Sequence, residues 1–319
     1  MGGVTELAAP AAPTRATTAL TGPAGTVPPA TAPTTRSHVG GDTLAGVGLI
    51  LASGLSVQFG AAIATTLFGR AGVTGTVMMR LAIAALLLFA VCRPRIRGYA
   101  RSDWAVIAMF GAVLAAMNTL FYEAIDRIPL GPAVTLEVLG PLVLSVVASR
   151  RAASWLWALL AFAGVALLGW RGSDQLNVAG AAFACGAAVL WAAYIVLSAR
   201  AGTRFPKVDG VALAMAFAGL LSLPLGFALS RPGLYSTHVL WLGVAVAVLS
   251  SAAPYSLDLL ALRRLPKSTY AVLMSLGPAI ATLAGWTALG QHLNAAEAVA
   301  IGLVVVASAG AVRMRPAAR

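Results

Sequence analysis

The sequence has little charge and few cysteines, and both shortages restrict the protein class. Only 10% of its 319 residues are charged and 59% are hydrophobic, whereas soluble domains contain about 25% charged residues. The mean hydropathy is +0.87. Cys92 and Cys185 are the only cysteines and stand in apolar runs, which predicts buried apolar side chains rather than a disulfide or metal pair. An ordinary soluble domain is excluded, and a membrane protein is indicated.

Several catalytic and nucleotide-binding motifs are also missing. The sequence has no G-x-x-x-x-G-K-[ST] phosphate loop, which argues against a function powered directly by ATP hydrolysis. It also has no H-E-x-x-H or nucleophile-elbow motif. The three histidines, His38, His238 and His292, fall in the N-terminal tail or near loops. We therefore predict no enzymatic activity, no cofactor and no metal site.

Long apolar segments follow an N-terminal tail. Residues 1–43 are rich in Ala, Thr and Pro without an apolar run, which predicts a disordered cytoplasmic tail rather than a signal peptide. A membrane-crossing helix needs about 20 mostly apolar residues. We predict ten such spans, at 44–67, 73–92, 104–123, 130–149, 154–170, 178–199, 209–229, 238–260, 268–288 and 294–312.

The basic residues test this topology, because cytoplasmic loops carry an excess of Lys and Arg. With a cytoplasmic N-terminus, 17 of the 22 Lys and Arg residues lie on the cytoplasmic side, including the basic C-terminal segment 313–319, and four lie outside. The remaining one, Arg80, lies within the second span. The net charge of +12 is thus explained by topology and not by nucleic acid. The pattern predicts a multi-pass protein of the plasma (inner) membrane with both termini cytoplasmic.

An internal repeat divides the chain. Arg127-Ile128-Pro129 followed by Gly140-Pro141 matches Arg264-Leu265-Pro266 followed by Gly277-Pro278, at a constant offset of 137 residues. Each copy then contains five spans, an odd number, so the second copy crosses the membrane in the opposite sense. The sequence predicts an all-α integral membrane fold of ten helices in two inverted five-helix repeats. Their limits are 44–171 and 178–312.

The two Gly-Pro pairs predict helix breaks near the bilayer centre. Proline cannot donate to the carbonyl four residues earlier, so Pro141 frees the carbonyl of Glu137 and Pro278 frees that of Met274. A freed carbonyl within a span must face protein, water or substrate. We predict that Gly140-Pro141 and Gly277-Pro278 are flexible breaks about which each repeat moves, and that Met274 lies at the binding site.

Glu137 is the leading binding-site candidate, because an ionisable group inside a span is a functional hypothesis by default. Its carboxyl group either carries a proton or stays ionised and pairs with a substrate ammonium. A structural alternative is a salt bridge to Arg80, and the two roles are compatible.

Other polar and aromatic side chains are predicted to complete the pocket. Asn118 and Tyr122 share a helix face at i, i+4 spacing, although interhelical hydrogen bonding explains them equally well. Trp191, Tyr194 and Tyr255 form an aromatic wall suited to a cationic amine, with an interfacial aromatic belt as the alternative. Gln58 is a weaker candidate.

Two further acids are assigned to span ends. Glu123 is interpreted as a solvated end residue, and Asp258 as a partner of Arg263 or another basic neighbour. Small-residue spacings are too common in this chain to decide whether it forms a homodimer.

A combined pattern is formed by residues 117–122, 128–131, 136–137, 140–141, 149–151, 254–257, 264–266 and 273–275. Together these segments resemble the EamA branch of the drug/metabolite transporter superfamily, and within it the Rht-type threonine and homoserine exporters. The similarity extends over about residues 44–312. It implies ten helices, a central cavity, and secondary export of amino acids or related small metabolites that is often proton-coupled. It also supports Asn118, Tyr122, Glu137, Trp191, Tyr194 and Tyr255 as cavity residues.

The chain departs from the family pattern at Gly277 and Gln291, where acidic residues are expected. If relatives need those acids for coupling, this protein relies on Glu137 alone, takes another substrate or acts as a uniporter. The expected function is alternating-access export of a small molecule such as threonine or homoserine. A multidrug or quaternary-ammonium exporter, and a non-transporting membrane protein of the same fold, are the alternatives.

Overall fold

The protein is built from a series of helices, several of which are separated only by short breaks. The computed structural model describes residues 38–149, 152–171, 177–206, 208–262, 264–265 and 267–313. Within this part of the chain the regular structure is helical, from Val39 onward in one compact unit. The α-helices are α1 His38–Ala71, α2 Val73–Cys92, α3 Arg101–Ile125, α4 Leu130–Glu137, α5 Leu139–Ser149, α6 Ala152–Arg171, α7 Val178–Arg204, α8 Asp209–Leu229, α9 Thr237–Ala247, α10 Ala253–Leu262, α11 Lys267–Met274, α12 Gly277–Leu289 and α13 Ala295–Arg313.

Eight helical stretches are long and apolar enough to cross a membrane, which confirms the all-helical membrane fold. They are Leu44–Ala71, Val73–Cys92, Arg101–Ile125, Leu130–Ala148, Val178–Arg204, Asp209–Leu229, Thr237–Asp258 and Thr269–Leu289. The predicted spans at 154–170 and 294–312 correspond to shorter apolar helices, Trp155–Leu167 and Ala295–Ala311. These two pack against each other as parts of α6 and α13.

Two of the long stretches are broken at equivalent places. Helices α4 and α11 each contain eight residues, and each begins and ends 137 positions from its counterpart. After Glu137 the chain turns once at Val138 before α5, and after Met274 it turns at Ser275 and Leu276 before α12. Pro141 and Pro278 lie in the first turn after each break, where a missing N–H is tolerated. A third irregularity is the π-helical turn Val248–Ala252 between α9 and α10.

Small residues allow the helices to approach closely. Helix α2 packs on α8, α3 on α7 and α8, and α4 on α12. A Cβ atom at Gly111 would lie 2.7 Å from the carbonyl oxygen of Ala214, and one at Gly219 would lie 3.3 Å from that of Leu81. Apolar burial gives little drive between helices in lipid, so such close van der Waals contacts stabilise the assembly.

The outward surface is apolar as well. Large side chains such as Leu86, Phe162 and Trp241 are each about 70% exposed, at 71%, 70% and 71%. A soluble monomer rarely exposes extended apolar surface, whereas hydrocarbon solvates it. The exposed surface therefore fits a lipid environment, so polar side chains are expected in the interior of the protein.

Candidate functional site

A cavity of about 260 Å³ lies between the helices. Helices α1, α2, α3, α4, α7, α8, α10, α11 and α12 and the π-helical turn contribute to its walls. Most of the wall is apolar, but several polar and aromatic side chains line it: Ser53, Gln58, Arg80, Asn118, Glu137, Trp191, Tyr194, Ser250, Ser251 and Asp258. Its size suits a small molecule.

Six of the eight predicted binding residues line this cavity: Gln58, Asn118, Glu137, Trp191, Tyr194 and Met274. Tyr122 does not, and the side chain of Tyr255 lies outside the described residues. Gly277, from the second predicted helix break, also lines the cavity.

The end of α4 brings Glu137 to the wall of the cavity, which Arg80 lines from α2. The carboxyl and guanidinium groups are close enough to interact electrostatically. They form no direct ion pair, however, among the ion pairs found in the described chain. The salt bridge considered in the sequence analysis is therefore a longer-range charge interaction, which leaves donors and acceptors on both groups for a ligand.

Tyr122 occupies a different place from the one predicted for it. It is fully buried, at 0% exposure, and the Arg80 guanidinium lies 5.3 Å from the centre of its ring. Phe68 packs on the ring from another side, with centroids 5.7 Å apart. Although Tyr122 and Asn118 share a face of α3, one further turn takes Tyr122 past the cavity, where it supports Arg80.

Asn118 remains at the wall, and its amide is partly committed to its own helix. Its Nδ2 donates to the carbonyl of Leu114 at 2.8 Å, so the interhelical hydrogen bond considered above is replaced by one within α3. Tyr194 packs against Phe110, with ring centroids 5.3 Å apart. This contact fixes one part of the predicted aromatic wall.

Asp258 is the acid that the sequence reasoning misplaced. It lines the cavity with the side chains of Ser53 and Tyr270 as polar neighbours, and its Oδ1 is buried without a hydrogen-bond partner. The proposed partner Arg263 lies outside the described residues. The available signal was an acid within an apolar run, the same signal that identified Glu137.

The π-helical turn presents serines to the cavity. Ser250 and Ser251 both line it, and Ser250 Oγ is buried without a hydrogen-bond partner. Gln58 Oε1, on α1, is likewise buried without a hydrogen-bond partner. Buried polar atoms normally have partners, and π-helical turns occur frequently at functional sites. These atoms are consistent with a cavity that receives a polar ligand.

Two polar clusters lie away from the cavity. Glu123 is not simply solvated, because its Oε2 lies 2.5 Å from Arg127 Nη1, and Arg127 stacks 4.9 Å from the ring centre of Phe183. Gln291, one of the two departures from the family pattern, accepts a 3.0 Å hydrogen bond from the backbone N–H of Leu130 at the start of α4.

Across the described residues, no group of three or more His, Cys, Asp or Glu side chains could hold a metal ion.

Comparisons with known proteins agree with this architecture. Over 264 residues the chain is 38% identical to the threonine/homoserine exporter RhtA of Escherichia coli strain K12, covering 82% of this chain and 89% of that protein. It is also 38% identical over 257 residues to RhtA of Salmonella typhimurium strain SL1344, covering 80% of this chain and 87% of that protein. A crystal structure of another protein shares the fold, with a TM-score of 0.58 and 23% identity over 86% of this chain and 96% of that one.

The helices, the polar cavity and these relatives define a multi-pass membrane transporter. The signature of the EamA-like transporter family matches residues 178–313. This chain belongs to the EamA-like transporter family.

Proposed function

We propose that this protein exports small amino acids such as threonine and homoserine by alternating access. The proposal rests above all on the cavity, which the carboxyl group of Glu137 and the guanidinium group of Arg80 both line without forming a direct ion pair. An amino acid carries an ammonium and a carboxylate in one small molecule, so it complements both groups. The relatives named as threonine/homoserine exporters support the same substrate class.

In this proposal Glu137 binds the substrate ammonium or a coupling proton. Asn118, Trp191 and Tyr194 shape the pocket, and the side chain of Tyr255, predicted from sequence, joins the aromatic wall. Breaks at Gly140-Pro141 and Gly277-Pro278 let each half move around the site. We propose proton coupling as the energy source, since no phosphate loop is present in the sequence.

The proposed architecture is two inverted five-helix repeats, 44–171 and 178–312, with both termini in the cytoplasm. Support comes from the equivalent breaks after Glu137 and Met274, and from the basic residues concentrated on one side. Two pairs of helices at equivalent places in the two halves also pack against each other, α2 on α8 and α6 on α13, and α4 packs on α12, the helix that follows its counterpart α11. Tagging each loop for accessibility from outside the cell tests this topology, and an accessible terminus contradicts it.

Efflux of labelled amino acids tests the function. Cells overproducing the protein are preloaded with labelled threonine, homoserine and other amino acids, and export is followed beside the Glu137→Gln variant. Loss of a hydrogen bond to a charged group costs about 1.5–3 kcal/mol, so we expect apparent affinity to fall roughly 10- to 100-fold. Glu123→Gln is the matched control, because Glu123 pairs with Arg127 away from the cavity.

Two results would contradict the proposal. Efflux unchanged by Glu137→Gln would remove the carboxyl group from the mechanism. Absence of amino-acid efflux, together with efflux of bulky organic cations, would favour the multidrug alternative. The open cavity argues against a non-transporting protein, for which a collapsed centre is expected.

A further inference from the structure

The contacts around the Arg80 side chain indicate a more specific role for this residue than its positive charge alone. Arg80 lines the cavity from α2. Its Nε is buried without a hydrogen-bond partner, and no ion pair to it occurs among the described side chains. A cation inside a membrane span is costly, and a buried charge that lacks a direct partner is more costly still. The cavity therefore contains an incompletely satisfied positive group.

Tyr122 holds this group in place. The guanidinium carbon lies 5.3 Å from the centre of the Tyr122 ring, a distance at which a cation is attracted to an aromatic face. The ring is itself fixed by packing against Phe68 and Phe121, with centroids 5.7 and 6.1 Å away. A stacked guanidinium keeps its donors at the edge of its plane. Tyr122 can thus orient Arg80 without using those donors.

The chemistry of a guanidinium selects the ligand. Its planar donors match the two oxygens of a carboxylate, which they can bind through two parallel hydrogen bonds. Glu137, the nearby opposite charge, remains beyond ion-pair distance. A ligand carboxylate would supply the missing direct partner.

We propose that Arg80 binds the carboxylate of the transported molecule and that Tyr122 positions Arg80 for this contact. The inference rests on the proposed function and deepens it, because it assigns recognition of the substrate carboxylate to one side chain and the placement of that side chain to another. Glu137 then binds the ammonium at the other end of the same zwitterion. Decarboxylated or amidated analogues should bind poorly.

Competition in proteoliposomes tests this inference. Purified full-length protein is reconstituted, and labelled threonine transport is measured with increasing unlabelled threonine or threoninamide at mildly acidic pH, where both carry the ammonium group. Loss of a charge-assisted hydrogen bond costs about 1.5–3 kcal/mol, so we expect threoninamide to compete roughly 10- to 100-fold more weakly than threonine. Equal competition by the two ligands would overturn the proposal.

Variants of Arg80 and Tyr122 supply the second readout. Arg80→Gln should bring the inhibition constants of threonine and threoninamide close together, because the carboxylate loses its partner. Arg80→Lys keeps the charge but loses the planar donors, so its preference for threonine should be intermediate. Arg127→Gln is the matched control, since Arg127 lies against Phe183 and Glu123 outside the cavity, and it should retain the wild-type preference.

The Tyr122 variants separate positioning from folding. Tyr122→Phe keeps the aromatic ring and should retain the preference for threonine. Tyr122→Leu removes the ring and should reduce that preference. If Arg80→Gln cannot be purified as a folded protein, the wild-type competition and the Tyr122 pair decide the question. An unchanged preference in Arg80→Gln or Tyr122→Leu overturns the respective role. Wild-type protein that transports no amino acid refutes the proposed function instead, so the two failures are distinguishable.

Discussion

At the scale of single residues, the glycines before the two prolines occupy different surroundings. A Cβ atom at Gly140 would overlap the carbonyl oxygen of Ala188, whereas the nearest atom to a Cβ at Gly277 is Val134 Cγ1 at 4.0 Å. Overpacking typically costs about 1–3 kcal/mol. We therefore expect Gly140→Ala to lower the thermal unfolding temperature in detergent, while Gly277→Ala leaves it unchanged or raises it. Equal effects of the two substitutions would contradict this assignment.

Single residues also show where sequence reasoning succeeded and where it stopped. Polar side chains within apolar runs led to Gln58, Asn118 and Glu137, all of which line the cavity. The same signal was present at Arg80 and Asp258, but both were interpreted as structural partners of other charges. Whether two charges from distant segments meet depends on helix rotation and packing, which spacing along one helix does not determine.

At the scale of helices, substitutions can test the role of the breaks between α4 and α5 and between α11 and α12. An N–H restored at position 141 can donate to the Glu137 carbonyl, since that carbonyl is four residues earlier. We expect Pro141→Ala to stiffen the connection between α4 and α5 and to slow efflux, with threonine affinity retained. Initial rates at saturating and limiting threonine separate these two quantities. A changed affinity with an unchanged maximal rate would show that the break shapes the site rather than its motion.

The helices themselves were largely predictable. Apolar runs separated by basic or turn-rich segments predicted where helices lie. The Gly-Pro repeat predicted breaks at Gly140-Pro141 and Gly277-Pro278, and helices α4 and α11 end three residues before these pairs, which lie at the starts of α5 and α12. The π-helical turn at Val248–Ala252 had no comparable signal, because the preceding run is continuously apolar. Within this turn the Leu249 carbonyl accepts a 2.7 Å hydrogen bond from Ser56 Oγ on α1, a contact between distant segments that the local sequence does not reveal.

At the scale of the whole molecule, Gln291 connects the first half to the second. Its Oε1 accepts from the Leu130 N–H across 161 positions of sequence, close to the packing of α4 on α12. Leaving that donor unsatisfied costs about 1–3 kcal/mol. We expect Gln291→Leu to lower the unfolding temperature, whereas Gln291→Glu keeps an acceptor and remains close to wild type. A denaturation series in detergent distinguishes them, and a stable Gln291→Leu protein would show that the bond contributes little.

Glu137 and Met274 end their helices at equivalent positions, but one is an acid and the other a thioether. Two identical halves would make the inward-facing and outward-facing forms images of each other, with no intrinsic bias between them. At this pair of positions the carboxyl group belongs to one half only, so exchanging the roles of the two halves changes the environment of the cargo. In the proposed cycle a single unmatched side chain is enough to give the inward-facing and outward-facing forms different free energies, while the gradients across the membrane set the direction of net transport.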